Sequence, residues 1–549
     1  QFSLQCILTM FAEDIGLLPQ EYFTTLLYDG ARHGDVEKRL ADLFRLMSTR
    51  DVPGGSDGER AVPFFNGGLF TKPVTVPLGE AQLAALTKAS EANWKYVDPH
   101  IFGSVFQGIM NDAERHKSGA HYTAHDDIMR VVGPTIVEPW RARIREAKTK
   151  DELLAVRAEL LTFRVLDPAC GSGNFLYIAF RELYKLDTEL LVRLLKEFPS
   201  TQGLGRQSKA KVSWGVGIQA SRFYGIDINP FAVELAKVTL NIAKKIAFDE
   251  RREIAADYVE QIEIDVDPSL PLDNLDKNIV CADALFTEWP EVDAIVGNPP
   301  FLGDRKIRGE LGADYIRKLQ DTSGIDGVVD LCCYWFRRAH DRLKPGARAG
   351  LVGTSGIRVG KAREASLDYV VANGGTITNA VSSRLWPGDA ALNVSMVNWV
   401  KGPATPPHQL FVDEHAFDLV RISTHLQLHT DLSDTRTIAA NALGTAMGVI
   451  FGSDLFVVEQ SRELDSPKLR GRGIIRPIAA GTALVTGHLQ TAPSECIYLG
   501  SCTTESEVRK LAGDAYKSLI TSLRPYVESV EVKYPGWSAR WWQPLRPQR

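Results

Sequence analysis

A chain of 549 residues has room for two to four domains, and its 44% hydrophobic and 24% charged residues mark an ordinary folded protein. The formal net charge of −5 argues against a coat-like nucleic-acid binder but leaves room for an enzyme with a local basic cleft. No apolar run reaches the roughly 18 residues of a membrane span, and seven scattered cysteines without a CxxC pair argue against a disulfide framework or a zinc site, so a cytoplasmic protein is expected.

The opening QFSLQCILTMFAEDIGLL has no basic n-region and contains Glu13 and Asp14, so it reads as a helix entered midway, not as a signal peptide. ILTMFAEDIGLL, EYFTTLLYDG and VEKRLADLFRLM repeat apolar residues at three- and four-residue spacing. A glycine-rich break, DVPGGSDGER, and the FFNGGLF turn follow, and LGEAQLAALTKASEANW returns to helix. Residues 1–97 are therefore expected to form a helical domain. Over 98–400 short apolar strands (RVLDPA, RFYGIDIN, DAIVGNPP, ARAGLVGTS, MVNWVKG) alternate with long amphipathic stretches. That alternation predicts a doubly wound α/β domain, with a mostly parallel sheet covered by helices on both faces. Residues 401–549 are irregular, with short strand-like runs, and are expected to form a separate mixed or β-rich module.

In VLDPACGSGNF a strand ends at Asp167, Gly171 and Gly173 allow a sharp turn, and a helix starts near Asn174. Such a helix start offers free N–H groups to a ligand. The turn lacks the G-x-G-x-x-G of dinucleotide folds and the GK[ST] of a P-loop. Its leading acid suits a ligand with a cationic amino-acid moiety, as in S-adenosylmethionine. Asp227 ends the strand RFYGID, where a carboxylate can accept ribose hydroxyls, and Asp283 in CADAL could accept an adenine amine. A single strand-end aspartate is as easily a cap or turn residue; three in order weaken that explanation.

The tetrapeptide Asn298-Pro299-Pro300-Phe301 ends another strand. Two prolines stiffen the corner and remove backbone donors. The Asn298 side-chain carbonyl and the Pro299 main-chain carbonyl are then candidate paired acceptors for an exocyclic amine. Phe301 could stack an extruded base.

These motifs resemble those of class I S-adenosylmethionine-dependent DNA amino methyltransferases. DPACGSGNF is similar to their motif I, GIDIN to motif II, CADAL to motif III and NPPF to motif IV. Gly119-Ala120-His121-Tyr122-Thr123 resembles the GxxYT lid that precedes motif I in the gamma order. The resemblance implies a Rossmann-like fold and S-adenosylmethionine held by Tyr122, Thr123, Asp167, Ala169, Gly171, Gly173, Asn174, Phe175, Asp227, Ile228, Asp283, Ala284 and Asn298. It also implies that Asn298, Pro299, Pro300 and Phe301 handle an adenine N6 amine of double-stranded DNA. More narrowly, FGSVFQGIMNDAERHKSGAHYT, GNPPFLGDRKI and LNVSMVNWVKG are similar to the MmeI-like type IIL restriction–modification enzymes. That group carries an amino-terminal PD-ExK nuclease, whose constellation is not located in this sequence. Methylation rather than cleavage is therefore expected, within a restriction–modification or phage-defence system and with its other subunits as possible partners. A target-recognition module is hinted at by Gly473-Ile474-Ile475-Arg476-Pro477 and Arg540-Trp541-Trp542. An RNA or protein-glutamine methyltransferase and a non-catalytic DNA-binding subunit remain alternatives.

Other signals are weaker. His121 and His125 are four apart but lack a third ligand, so no metal is expected. Arg305, Lys306 and Arg308, read as a loop after the tetrapeptide, are either phosphate contacts or a solvated surface. The aromatic and basic stretch 523–549 is either a nucleic-acid contact or a packing arm. Cys170 reads as a small turn residue, and Cys332-Cys333 as the core of a buried helix.

Overall fold

In a computed structural model of the chain, the described residues are 1–49, 62, 70, 72–94, 123–198, 217–258, 274–386, 392–428, 467–472, 474–478, 494–499, 502, 504–517 and 519–521. Two units separate at residues 431 and 432.

The first unit is built on nine strands: β1 (Val165–Asp167), β2 (Phe223–Asp227), β3 (Ile279–Cys281), β4 (Ala294–Gly297), β5 (Arg348–Thr354), β6 (Gly375–Leu385), β7 (Asn393–Lys401), β8 (His408–Val412) and β9 (His415–Leu419). They lie in the order β3-β2-β1-β4-β5-β7-β6-β8-β9. The first five are parallel neighbours. They form the doubly wound parallel part expected from the strand–helix alternation, and the sheet continues with β7 antiparallel to both β5 and β6.

Alternation along each strand explains the two covered faces. Val165, Phe223, Ala294 and Val296 point into one core with the helices His125–Val132, Lys150–Thr162, Asn174–Glu197 and part of Pro230–Tyr258. Leu166, Ile226, Ile295, Ala349 and Leu351 point into the other, under the helices Asp304–Ser323 and Cys332–Arg342. Cys332 and Cys333 are fully buried there, as the sequence suggests.

The amino-terminal helices Phe2–Asp14, Tyr22–His33, Val36–Met47 and Glu80–Ser90 form a third core. It closes on Leu235, Val238 and Ile242, the outer face of helix Pro230–Tyr258. That helix is consequently apolar on two sides and joins the helical region to the sheet. Buried Asp187 ties three helices of the first core together: its Oδ1 accepts from Arg157 Nε at 2.7 Å and its Oδ2 from Arg251 at 2.6 Å.

Two expectations need correction. The boundary at residue 400 falls inside the sheet, because β8 pairs parallel with β6 (Asn379 with Gln409) and β9 closes a hairpin on β8. The irregular pattern that begins near residue 401 is, over residues 402–407, only the turn into β8. The segment containing Arg305, Lys306 and Arg308 is the start of a helix, not a loop. Gly303 enters it in an extended conformation, and Ile307, Leu311, Ile316 and Leu319 supply the inward face.

In the second unit, β10 (Ile475–Ile478) and β11 (Ser494–Ile497) pair antiparallel. Helix Glu505–Ala512 starts with a capping box between Thr504 and Glu507 and packs into a small core with Ile474, Ile497 and Leu499.

Candidate active site

Parallel register brings the expected acids to one edge of the sheet. Asp167 pairs with Gly225 and Asp227 with Cys281, so both carboxylates leave the carboxyl ends of neighbouring strands. β4 lies on the other side of β1, with Leu166 beside Ile295, and delivers Asn298 to the same edge. An open α/β sheet binds ligands at such strand ends.

The turn after β1 is held on several sides. Gly171 and Gly173 have φ of +51° and +87°, in the left-handed region that favours glycine. A Cβ on Gly173 would also lie 3.0 Å from both Cα and Cβ of Ala236. The helix begins at Asn174, with Asn174 and Phe175 buried. Trp335 Nε1 donates to the Pro168 carbonyl at 3.1 Å, and Cys170 N donates to the Ile226 carbonyl at 3.1 Å. Cys170 is packed so closely against β2 that a Cβ on Gly225 would stand 2.8 Å from its Sγ, and burial pushes its thiol well above the ordinary range. Its role is that of a small, inert turn residue.

Asp167 is fully buried. Its Oδ1 accepts from Ala169 N at 3.0 Å, whereas Oδ2 has no hydrogen-bond partner. Burial raises its carboxyl to about 8, with a further contribution from the charge of Asp227. An orphaned, buried carboxylate oxygen is costly unless a donor or cation is supplied. Asp227 accepts from Gly171 N at 2.9 Å and from Asn229 N at 2.8 Å, and burial raises its carboxyl as well. Immediately after it, Ile228 is 68% exposed, an apolar side chain presented at the strand end.

Asp283 accepts from Leu285 N at 2.9 Å on Oδ1 and from the Tyr315 hydroxyl at 2.9 Å on Oδ2; Ala284 beside it is buried. Tyr315 was not singled out from sequence. No local spacing connects it to Asp283, which lies 32 residues earlier. Trp335 escaped notice for the same reason.

Asn298 Nδ2 donates to Thr123 Oγ1 at 3.2 Å, while its Oδ1 is buried without a partner. Pro299 is buried, Pro300 half-buried, and Phe301 half-buried against both cores. Thr123 itself is buried and leads directly into helix His125–Val132. That helix is fastened to the sheet by an ion pair between Asp127 and Arg384 Nε at 3.0 Å, and by Asn398 Nδ2 donating to the Arg130 carbonyl at 3.0 Å. Tyr122 and the rest of the GAHYT motif lie outside the described residues, as does the side chain of Arg305. Lys306 and Arg308 are exposed on the helix that follows the tetrapeptide. The recognition-module signals at Gly473, Arg540, Trp541 and Trp542, and the 523–549 stretch, also lie outside the described residues.

Profiles of two domains of one family match the chain. The MmeI DNA-methyltransferase domain matches residues 144–408, and the MmeI helicase spacer domain matches residues 1–70, together more than half of the sequence. DNA methyltransferase A of Bacillus subtilis (strain 168) is 28% identical over 448 residues, covering 77% of this chain and 48% of that protein. A Methanocaldococcus jannaschii protein named as a type II restriction enzyme and methyltransferase is 26% identical over 295 residues, covering 43% and 24%. The chain thus spans about half or less of the length of these curated relatives. The solved structure of the type IIL restriction–modification enzyme MmeI in complex with DNA aligns with a TM-score of 0.66 at 21% identity. The alignment covers 98% of this chain and 73% of that one, which establishes a shared fold. Among the described residues no helix is long and apolar enough to cross a membrane.

Proposed function

From the premise that this chain belongs to the MmeI-like family, we propose that it is a site-specific DNA methyltransferase acting on the N6 amine of adenine, with S-adenosylmethionine as methyl donor. The carrying observation is the unpartnered, buried Asn298 Oδ1, next in sequence to Gly297, whose backbone abuts Asp167. A buried carbonyl oxygen left without a donor is a vacancy for an N–H group.

The residues present fit the methyl donor. Asp167 Oδ2 is a buried acceptor without a partner, Gly171 and Gly173 leave the main chain bare, and Ile228 offers an apolar face beside Asp227. Asp167 would accept from the amino-acid ammonium, Asp227 from the ribose hydroxyls, and Asp283 from the adenine amine. Ala169, Asn174, Phe175, Ala284, Tyr122 and Thr123 complete the enclosure in this reading. When bound, S-adenosylmethionine supplies an electrophilic methyl whose bond to sulfur breaks with the electron pair left on sulfur.

Asn298 Oδ1 and the Pro299 carbonyl each accept one N–H of the target amine. Holding both N–H groups withdraws the nitrogen lone pair from the ring and fixes its direction, so positioning and electrostatics replace a strong base. An amide carbonyl is too weak a base to keep the surplus proton, which leaves to water. Phe301 stacks the base once it is out of the helix, and Pro300 keeps the corner stiff. Lys306 and Arg308, with Arg305, contact phosphate near the extruded nucleotide.

In this reading residues 1–97 are the spacer, the catalytic domain runs through β9, and the second unit belongs to a target-recognition domain. Labelled cofactor incubated with duplex DNA, RNA and a protein mixture tests the proposal, followed by mapping of modified adenines. Asn298→Ala is expected to lose methyl transfer by about 10²–10³-fold with cofactor affinity retained, whereas Asp227→Ala weakens cofactor binding. Undiminished transfer by Asn298→Ala, or label on RNA or protein alone, would overturn it.

A further inference from the structure

Helix Asp304–Ser323 leaves the catalytic corner almost at once, beginning three residues after Phe301. Its first turns are anchored by Ile307, which is fully buried. At Gly312 the backbone departs from helical geometry, with φ of +81° and ψ of 164°, so the element is two helical segments meeting at a kink. The second segment is anchored by Ile316 and Leu319, and it turns Tyr315 toward the loop after β3. There the Tyr315 ring meets Phe286 edge-on, with centroids 5.2 Å apart and planes at 75°. Lys318 Nζ lies over the same Phe286 ring, 3.9 Å from its centroid. The Tyr315 hydroxyl donates to Asp283 Oδ2 at 2.9 Å.

We infer that Tyr315 is a positioning residue for the cofactor's adenine, holding the Asp283 carboxylate in the orientation that receives the adenine amine. The inference rests on the proposed reading of Asp283 as that acceptor. A lone carboxylate at a strand end can turn about its terminal torsion, which is broad and roughly two-fold. Leu285 N restrains Oδ1 from the loop itself, and Tyr315 restrains Oδ2 from a different element. With both oxygens tied, the remaining lone pairs have fixed directions, so an incoming N–H meets an acceptor that needs no further ordering. Because Tyr315 sits on the helix that grows out of the NPPF corner, cofactor selection and base capture share one support.

Selectivity for the exocyclic amine is the property that a purely structural tyrosine would not move. Equilibrium binding of S-adenosylhomocysteine and of S-inosylhomocysteine, which carries a carbonyl in place of the amine, is measured calorimetrically on the purified chain without nucleic acid. Tyr315→Phe keeps the ring and its contact with Phe286. It is expected to weaken S-adenosylhomocysteine about tenfold and to leave S-inosylhomocysteine unchanged, so that the preference between them collapses. Tyr315→His, which restores a donor, is expected to recover part of it even if the phenylalanine variant proves less stable. In an Asp283→Ala background, Tyr315→Phe should have no further effect on the preference. Equal weakening of both ligands by Tyr315→Phe, or an intact preference, overturns the role of Tyr315 while leaving cofactor binding standing. Failure of the parent chain to bind either ligand overturns the cofactor reading itself.

Discussion

Gly297 and Asp167 are in direct steric contact: a Cβ on Gly297 would stand 2.5 Å from Asp167 Oδ1 and 3.2 Å from its Cγ. Asp167 is fully buried and its Oδ1 is tied to Ala169 N, so the carboxylate has little room to retreat. The strand that delivers Asn298 can approach the cofactor turn only because this position carries no side chain. Gly297→Ala is therefore expected to cost about 1–3 kcal/mol through overpacking and to turn the carboxylate aside. A lower thermal midpoint should accompany weaker S-adenosylmethionine binding in calorimetry. A stable variant with unchanged affinity would show that the contact has no bearing on the site.

The titration of Asp167 has a definite sign. Burial raises its carboxyl to about 8, while an unfolded aspartate titrates near about 3.9. Between those values the unfolded chain gives up the proton and the folded chain keeps it. The group's penalty on folding therefore grows as pH rises through that window and levels off above it. Asp167→Asn removes this dependence, so its stability relative to the parent should improve by on the order of 1 kcal/mol or more between about pH 5 and pH 8. A cation received at Oδ2 lowers the carboxyl again, so S-adenosylmethionine affinity should rise with pH over the same window. Denaturant melts at both pH values and calorimetry in buffers of different ionisation heat read these out. A gap between parent and variant that ignores pH would refute the account.

Much of the site was legible because its chemistry is written in contiguous segments. Asp167 to Phe175 and Gly297 to Phe301 each contain a strand end, a turn and its special backbone residues, so spacing alone locates them. What escaped were contacts between segments: Tyr315 on Asp283, Trp335 on Pro168 and Thr123 on Asn298. β6 escaped for a different reason. Its register shifts between Ile377 and Asn379 and again between Val381 and Arg384, which breaks the two-residue alternation that marks a strand. Polar Thr378 and Ser382 are buried there because Thr378 Oγ1 reaches the Asn398 carbonyl and Ser382 Oγ accepts from Arg358. A polar pattern thus hid a core strand, and with it the continuation of the sheet into β8 and β9.

Lys306 and Arg308 are exposed on the helix that follows the NPPF corner, with Ile307 between them turned inward. If they neutralise phosphates, they act on affinity without reading sequence. Lys306→Ala and Arg308→Ala are each expected to weaken duplex binding at all sites alike, and to reduce the slope of log affinity against log salt by about 1. Methylation at saturating DNA should change little. An unaltered salt slope in the double variant would assign these cations to solvent.

Asp187 offers a test of the scaffold apart from the site. It is fully buried between Arg157 and Arg251, themselves buried on two other helices, and Arg251 stacks over the Tyr184 ring at 3.9 Å while its Nε donates to Thr188 Oγ1. One carboxylate thus pairs with two guanidinium groups in the interior. Removing it takes the carboxylate from buried Arg251 and an ion-pair partner from Arg157, a larger fault than the loss of a single hydrogen bond, and Asp187→Ala is expected to cost about 3–5 kcal/mol. Replacing Arg251 by Met in the same background should return part of that loss, since one stranded charge goes and an apolar chain fills its place. The residue lies about 20 Å along the helix from Asn174, so cofactor affinity measured well below the unfolding transition should stay near that of the parent. Chemical denaturation of the parent and both variants decides the matter. If the double variant proved no more stable than Asp187→Ala, the charges at Arg157 and Arg251 would not be what holds these helices to account.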